Sequence, residues 1–347
     1  MSQSEHDDPD RQILSLLAGK WLAAAVCAAA TLGLPDALAN GPRSLDALAR
    51  ELGCDPAALA RLLRVLAGER LVRQTEHREF ELLPAGRSLC RDRLGRLARY
   101  VGSPIGWDPW SDLPHAVRTG ESAFAKRYGA PLFEHLDRHA GEAAIYDAAI
   151  ESFASREEAA IAEAYDFAAA RRVLDVGGGR GGLLVALLER HPHLAGILLE
   201  RPNAAREATH AFARAGLAER CEVVVDDFFE SLPGGADHIV LKHIVHSWDD
   251  ETATKLLARC GAAVGAEGRV LIVEGVLLRD GRRDLTSMLD LEMLVLCGPG
   301  RERTKPELRR LFSAAGLELL ANHPLTETGH LFVTRPRSRR GADPTRG

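Results

Sequence analysis

The spacing of apolar residues changes character near residue 171. Beyond it, short apolar runs at 172–176, 195–199, 222–225, 237–242 and 269–274 alternate with helical stretches, and two further runs, 317–320 and 330–334, close the chain. Runs so short and so apolar predict buried strands, and their alternation with helices predicts a parallel sheet covered on both faces. The last two runs lack an intervening helix and suit a reversed terminal hairpin. Residues 11–100 read as helices plus one small hairpin. Ser44 caps a helix over 45–52, Gly53 turns the chain, and Asp55-Pro56 opens a second helix with a cap and a first-turn proline. Leu59, Leu62, Leu63 and Leu66 line one face of it. Strands at 71–74 and 79–83 then flank a turn at 75–78. Helix, turn, helix and two-stranded wing form a winged-helix pattern. Residues 101–170 read as mostly helical. The expected organisation is a winged-helix domain at 1–100, a helical linker and substrate cap at 101–170, an α/β Rossmann-like domain at 171–335, and a disordered basic tail at 336–347.

One loop of the α/β half carries a ligand signature. Residues 173–182 read Val-Leu-Asp-Val-Gly-Gly-Gly-Arg-Gly-Gly, and Glu200 follows Gly177 at a distance of 23. A buried strand, a glycine turn and a helix let the backbone approach a ligand, and Glu200 at the end of the next strand can accept both hydroxyls of a ribose. An adenosine-containing cofactor is implied. Gly177, Gly179 and Gly182 also satisfy the dinucleotide pattern G-x-G-x-x-G. S-adenosylmethionine is favoured over a nicotinamide dinucleotide for three reasons. Asp175 can meet a cationic amino-acid tail and would repel a pyrophosphate. The loop lies at mid-chain, and the reversed terminal hairpin suits a methyltransferase sheet.

Charge and cysteine content narrow the setting. The 347-residue chain carries a net charge of −5, so no global field draws nucleic acid or anionic lipid. Its six cysteines (27, 54, 90, 221, 260, 297) contain no C-x-x-C pair, which fits reduced thiols in the cytoplasm and argues against a structural metal or disulfide framework. Residues 1–10 are polar and acidic, unlike a signal peptide. The apolar stretch 21–34 is too short to span a bilayer and reads as a buried or interface helix. A winged helix raises DNA binding as a rival. Residues 1–100, however, hold 14 Lys+Arg against 13 Asp+Glu, too even a balance for a phosphate reader. Packing and dimerisation is the better reading.

Candidate chemistry follows the strand at 237–242. His246 is placed at the carboxyl edge of the sheet, near the cofactor loop. Methyl transfer from a sulfonium needs alignment and a nucleophile, and a phenol with pKa near 10 benefits from a base. His243 and His246 together also raise a metal reading, but no third ligand has convincing spacing.

In combination these segments resemble the metal-independent small-molecule O-methyltransferases of the caffeic acid and acetylserotonin type, and within them the bacterial aromatic-polyketide enzymes of antibiotic pathways. The resemblance covers about residues 15–335. It rests on the Asp175 glycine loop, Glu200-Arg201-Pro202, Asp227-Phe228-Phe229, Lys242 four residues before His246, Glu274, and Arg301-Glu302-Arg303-Thr304. It implies a class I methyltransferase fold with an N-terminal dimerisation domain and a homodimer. It implies His246 as general base, oriented by Glu274 and Glu302. Asp175, Gly177, Gly179, Glu200, Arg201, Asp227, Phe228 and Lys242 would contact S-adenosylmethionine, with no metal. Tyr146, Ile150, Met293 and Cys297 would line an apolar pocket for an aromatic small-molecule acceptor, with Trp107 and Trp110 either lining it or packing the helical half. Thr304 and Glu307 also form a helix capping box. The family often has Asp directly after the base; Ser247 stands there, leaving less carboxylate near the imidazole and implying lower basicity. Some relatives use the cofactor structurally for hydroxylation or decarboxylation. Those often lack the histidine, so His246 favours methylation. A winged-helix regulator sensing S-adenosylmethionine is the remaining alternative.

Overall fold

The computed structural model describes residues 8–278, 284–326 and 329–337. The chain divides into two compact units, one built from residues up to Asp108 with Ala144–Phe153, the other from Pro109–Ala143 and everything from Ala154.

The first unit opens with a 24-residue helix, Pro9–Leu32, capped by the Asp8 side chain and ended by Gly33 at φ 76°. It is longer than the apolar stretch 21–34 alone indicates, because the cap and the first-turn proline lie far upstream. With a mean hydropathy of 1.8 over its most apolar window, it is long and apolar enough to cross a membrane, although only 17% of that window is buried. Ile13, Leu14, Leu16, Leu17 and Trp21 all face solvent, Trp21 at 74% exposure. The helices Leu45–Leu52 and Pro56–Gly68 form where their caps predict: Ser44 Oγ accepts from the Ala47 N–H at 3.3 Å and Asp55 Oδ1 from the Ala58 N–H at 2.8 Å. Leu59, Leu63 and Leu66 are buried with Leu34, Leu38, Leu48, Val72, Phe80 and Leu82, whereas Leu62 lies at the margin of this core. Three strands complete the unit: β1 (Arg43–Ser44), β2 (Val72–Gln74) and β3 (Glu79–Leu82), in the antiparallel order β1-β3-β2. The two-residue β1 extends the expected hairpin and is too short to show an alternating pattern.

The second unit is built on a seven-stranded sheet. Its strands are β4 (Arg172–Val176), β5 (Ala195–Glu200), β6 (Cys221–Val225), β7 (His238–Lys242), β8 (Arg269–Gly275), β9 (Leu317–Pro324) and β10 (Gly329–Pro336), in the order β6-β5-β4-β7-β8-β10-β9. Strands β4 to β8 are mutually parallel; β10 runs antiparallel to both β8 and β9. The expected reversed hairpin is present, longer than its apolar runs. Helices cover both faces and two apolar cores result, one around Leu174, Leu199, Ile239, Leu256 and Phe312, the other around Leu183, Leu198, Phe212, Val240 and Leu331. Because β4 sits between β5 and β7, the chain leaves β4 and β7 toward opposite faces, and the carboxyl ends of these two strands form the topological switch point where ligands of such sheets bind. Pro336 still belongs to β10, and the Arg337 N–H donates to the Gly316 carbonyl at 2.9 Å. The expected disordered tail otherwise lies outside the described residues.

Candidate active site

The pairing of Val176 with Leu199 brings Gly177 and Glu200 off the sheet side by side. Gly179 has φ 59°, and its N–H donates to Glu200 Oε2 at 2.8 Å; Glu200 Oε1 accepts from the Arg201 N–H at 2.7 Å. Each oxygen keeps a further lone pair for a ribose hydroxyl. Gly178 admits no side chain, since a Cβ there would stand 2.2 Å from Asp175 Oδ2. Asp175 is fully buried beneath the loop, and neither of its oxygens has a hydrogen-bond partner among the described residues. Burial pushes its pKa to about 7, against the pull of Lys242. A buried carboxylate without a donor fits the cationic tail of S-adenosylmethionine and would repel a pyrophosphate.

The other expected cofactor residues divide. Phe228 is half-buried, and its ring edge lies 3.7 Å from the point where a Gly177 Cβ would stand. Lys242 Nζ pairs with Glu158 Oε1 at 3.1 Å. The Arg201 guanidinium donates to the Phe133 carbonyl at 3.2 Å and Asp137 Oδ1 at 2.6 Å, and it stacks over the Phe133 ring. Asp227 is exposed, and its Oδ1 accepts from the Phe229 N–H at 2.8 Å.

His246 sits on the 3-10 turn Val245–Ser247 that follows β7. Its Nδ1 lies 2.9 Å from Glu302 Oε1 and 3.3 Å from Glu274 Oε2. Glu274, near the end of β8, also accepts from the N–H groups of Val245 at 2.7 Å and His246 at 3.3 Å. It therefore builds the turn as well as facing the ring. With two carboxylates on Nδ1, the proton of the neutral imidazole belongs there, and Nε2 is left with its lone pair. Burial disfavours the imidazolium, but Glu274 and Glu302, with Arg303 opposing, hold the His246 pKa up to about 9. The elevation comes from Glu274 and Glu302, and Ser247 contributes no carboxylate to it. Glu302 is held below the usual carboxylate range: burial works against this, but the charge of His246 and its hydrogen bond prevail. Burial pushes Glu274 up.

Several contacts of this cluster are not apparent in the sequence. Arg303 is buried, donating from Nη1 to the Val245 carbonyl at 3.1 Å, from Nη2 to the Trp248 carbonyl at 2.7 Å and from Nε to Asp250 Oδ1 at 2.8 Å, so it clamps both sides of the His246 turn. Asp290 Oδ1 accepts from the Glu302 N–H at 2.8 Å. His243, at φ 56°, holds Glu157 Oε2 at 2.6 Å and stacks on His246 with ring centroids 5.5 Å apart. Glu274 brings a third ligand atom within 4.8 Å of those of the two histidines, a proximity sequence spacing does not reveal. Each ring is nevertheless already engaged by a carboxylate, His243 by Glu157 and His246 by Glu302. The capping box at Thr304 and Glu307 forms as expected.

Of the expected acceptor residues, Met293 and Cys297 lie one turn apart on the helix Leu285–Cys297, both half-buried. Burial, reinforced by Glu292, pushes the Cys297 thiol to about 12, against a hydrogen bond with Ser247. Tyr146 and Ile150 belong to the first unit, where Tyr146 meets Tyr100 edge-on at 5.4 Å and Ile150 is exposed. Trp107 is half-buried in that unit; Trp110, in the second, is hydrogen-bonded to Glu292.

A parallel sheet with a reversed terminal hairpin and a glycine loop sealed by an acid at the switch point define a class I methyltransferase. Residues 110–318 match the O-methyltransferase domain and residues 14–92 the O-methyltransferase dimerisation domain. The chain belongs to the S-adenosylmethionine-dependent O-methyltransferase family whose members carry that dimerisation domain. The N-terminal domain is therefore a dimerisation module, the reading preferred over DNA binding. The chain is 36% identical over 321 residues to the mitomycin biosynthesis 6-O-methyltransferase of Streptomyces lavendulae, covering 91% of each. It is 39% identical over 307 residues to the aclacinomycin 10-hydroxylase RdmB of Streptomyces purpurascens, covering 84% of this chain and 80% of that one. An O-methyltransferase from neocarzinostatin biosynthesis, solved with S-adenosylmethionine and 2-hydroxy-5-methyl naphthoic acid, is 35% identical with a TM-score of 0.76, covering 90% of this chain and 95% of that one.

Proposed function

We propose that this protein methylates a hydroxyl group on an aromatic secondary metabolite of the antibiotic type, with His246 as general base. The observation that carries the reading is the His246 ring, held through Nδ1 by Glu302 and Glu274 so that Nε2 is the basic atom. Relatives named for mitomycin and neocarzinostatin biosynthesis support the acceptor class. Similarity to a hydroxylase leaves oxygenation as a second reading, and the base with its two carboxylates favours methylation.

S-adenosylmethionine supplies the methyl group as a sulfonium electrophile. The acceptor oxygen forms the new O–CH3 bond as the S–CH3 bond breaks, the bonding pair staying on sulfur. His246 Nε2 takes the hydroxyl proton. Glu302 and Glu274 stabilise the resulting imidazolium, and Arg303 keeps the turn in register. Asp175, Gly177, Gly179, Glu200 and Phe228 would hold the cofactor, with Lys242, Arg201 and Asp227 completing its surround. Met293 and Cys297 would border the acceptor. The exposed apolar face of the Pro9–Leu32 helix supports a homodimer, and six unpaired cysteines are consistent with work in the cytoplasm.

The test is His246→Ala. Its S-adenosylhomocysteine affinity, measured by calorimetry, should stay within about threefold of wild type while single-turnover methylation falls about 10²-fold or more. Equal loss of both would mean that His246 does not act as the base. Binding of NADH in place of S-adenosylhomocysteine would remove the cofactor assignment.

A further inference from the structure

The corner between the helices Leu132–Arg138 and Ala140–Ala164 gathers His135, His139 and Glu142, none of which the catalytic cluster uses. One ring nitrogen of each histidine and one carboxylate oxygen of Glu142 lie within 4.8 Å of one another. His135 Nε2 stands 2.6 Å from Glu142 Oε2. The two imidazoles stack with centroids 4.0 Å apart and planes 16° from parallel. His139 Nδ1 lies 2.7 Å from the His135 carbonyl oxygen. A carbonyl only accepts, so the His139 proton sits on Nδ1 and Nε2 keeps its lone pair. A backbone carbonyl orienting an imidazole in this way is a usual support for a metal-binding histidine.

Three features set this corner apart from a surface ion pair. His135 is buried, and its ring is fixed by Phe124, edge-on at 5.4 Å, and by Tyr128 at 4.8 Å. His139 is exposed and offers a way in, and no carboxylate pairs with it among the described residues. His243 and His246 differ here, since each of their rings already has its own carboxylate. The spacing is also close to what a metal needs. Donors around a tetrahedral zinc ion stand about 3.4 Å apart, so a closure of roughly 1 Å by the exposed side chains would complete the set. Two imidazoles and one carboxylate suit zinc better than calcium or magnesium, which favour all-oxygen shells. No cysteine takes part, so the scattered thiols carry no information about this corner.

We propose that His135, His139 and Glu142 bind a divalent transition-metal ion of the zinc type, with water completing its shell. The ion takes the place of the hydrogen between His135 Nε2 and Glu142 Oε2, and the His135 ring then carries its proton on Nδ1. It has no part in methyl transfer. It braces the helix whose Phe133 carbonyl and Asp137 carboxylate hold the Arg201 side chain.

The test is calorimetric titration of the full-length protein, free of any histidine tag and stripped with a chelator, with zinc chloride. Wild type should bind zinc with a Kd of about 10 μM or tighter. His139→Ala and Glu142→Ala should each weaken that binding by at least about tenfold. Both side chains are at least partly exposed, so these variants should keep the wild-type circular dichroism, whereas the buried His135 is left in place. His243→Ala should bind zinc as wild type does. Zinc should also raise the thermal midpoint of wild type and leave that of His139→Ala unchanged. Cobalt in place of zinc should show no thiolate charge-transfer band. A wild type that does not bind zinc overturns the proposal. So does binding that survives both His139→Ala and Glu142→Ala, binding lost instead in His243→Ala, or a thiolate band with cobalt.

Discussion

A histidine that takes a proton from a phenol faces a mismatch, because an ordinary imidazole is more than three units less basic than a phenolate. Two carboxylates on Nδ1 of His246 close most of that gap by holding its pKa near 9. The same shift leaves roughly one molecule in a hundred with a neutral base at pH 7. The sign follows directly: kcat/KM should rise with pH through neutrality and level off near 9. Glu302→Gln removes one source of the elevation. Its rising limb should therefore move to lower pH while its plateau falls, as a pH–rate profile of the two proteins would reveal. A limb unmoved by this substitution would detach the ionisation from His246. His246, Glu274 and Glu302 could be singled out in the sequence because a recognisable order and spacing connects them. The roles of Arg303 and Glu157 could not. Each acquires its significance from a contact across the fold, 58 positions for Arg303 to Val245 and 86 for Glu157 to His243.

At the scale of elements, the cofactor loop is a close fit between backbone and one buried acid. Gly178→Ala would drive a Cβ to 2.2 Å from Asp175 Oδ2 and 2.6 Å from Leu198 Cδ1. The expected result is an S-adenosylhomocysteine affinity at least about tenfold weaker, with the far-ultraviolet circular dichroism of wild type. The caps are a separate matter. Asp55→Ala should lower stability by about 1 kcal/mol in a urea titration without touching cofactor binding. Strands β4, β5, β7 and β8 are visible in the apolar pattern because they are buried on both faces, whereas β6, at the sheet edge and only partly buried, is visible through its run of valines. β1 is not, since two residues carry no period. The full extent of β9 and β10 is also hidden, because their outer positions alternate with polar residues such as Glu318, Asn322 and His330.

At the scale of the molecule, the Pro9–Leu32 helix presents more apolar surface than a lone domain has reason to expose. Leu14, Leu17 and Trp21 are each more than 60% exposed. If this face is buried against a second copy, Leu17→Glu with Trp21→Glu should shift sedimentation velocity from dimer to monomer. A protein that remains dimeric would place the interface elsewhere.

The order of the central sheet has a consequence for how the enzyme is made. β8, which bears Glu274, is flanked on one side by β10, with His330 in register opposite Glu274 and Gly329 opposite Gly275. A ribosome thus delivers every residue of the catalytic cluster before it delivers the strand that closes the sheet beside them. During that interval β8 is an open edge, able to recruit a strand from another nascent chain. Quality control in the producing cell therefore turns on the codons for β10. A frameshift that spares His246, Glu274 and Glu302 but deletes β10 should yield aggregates rather than a slow enzyme.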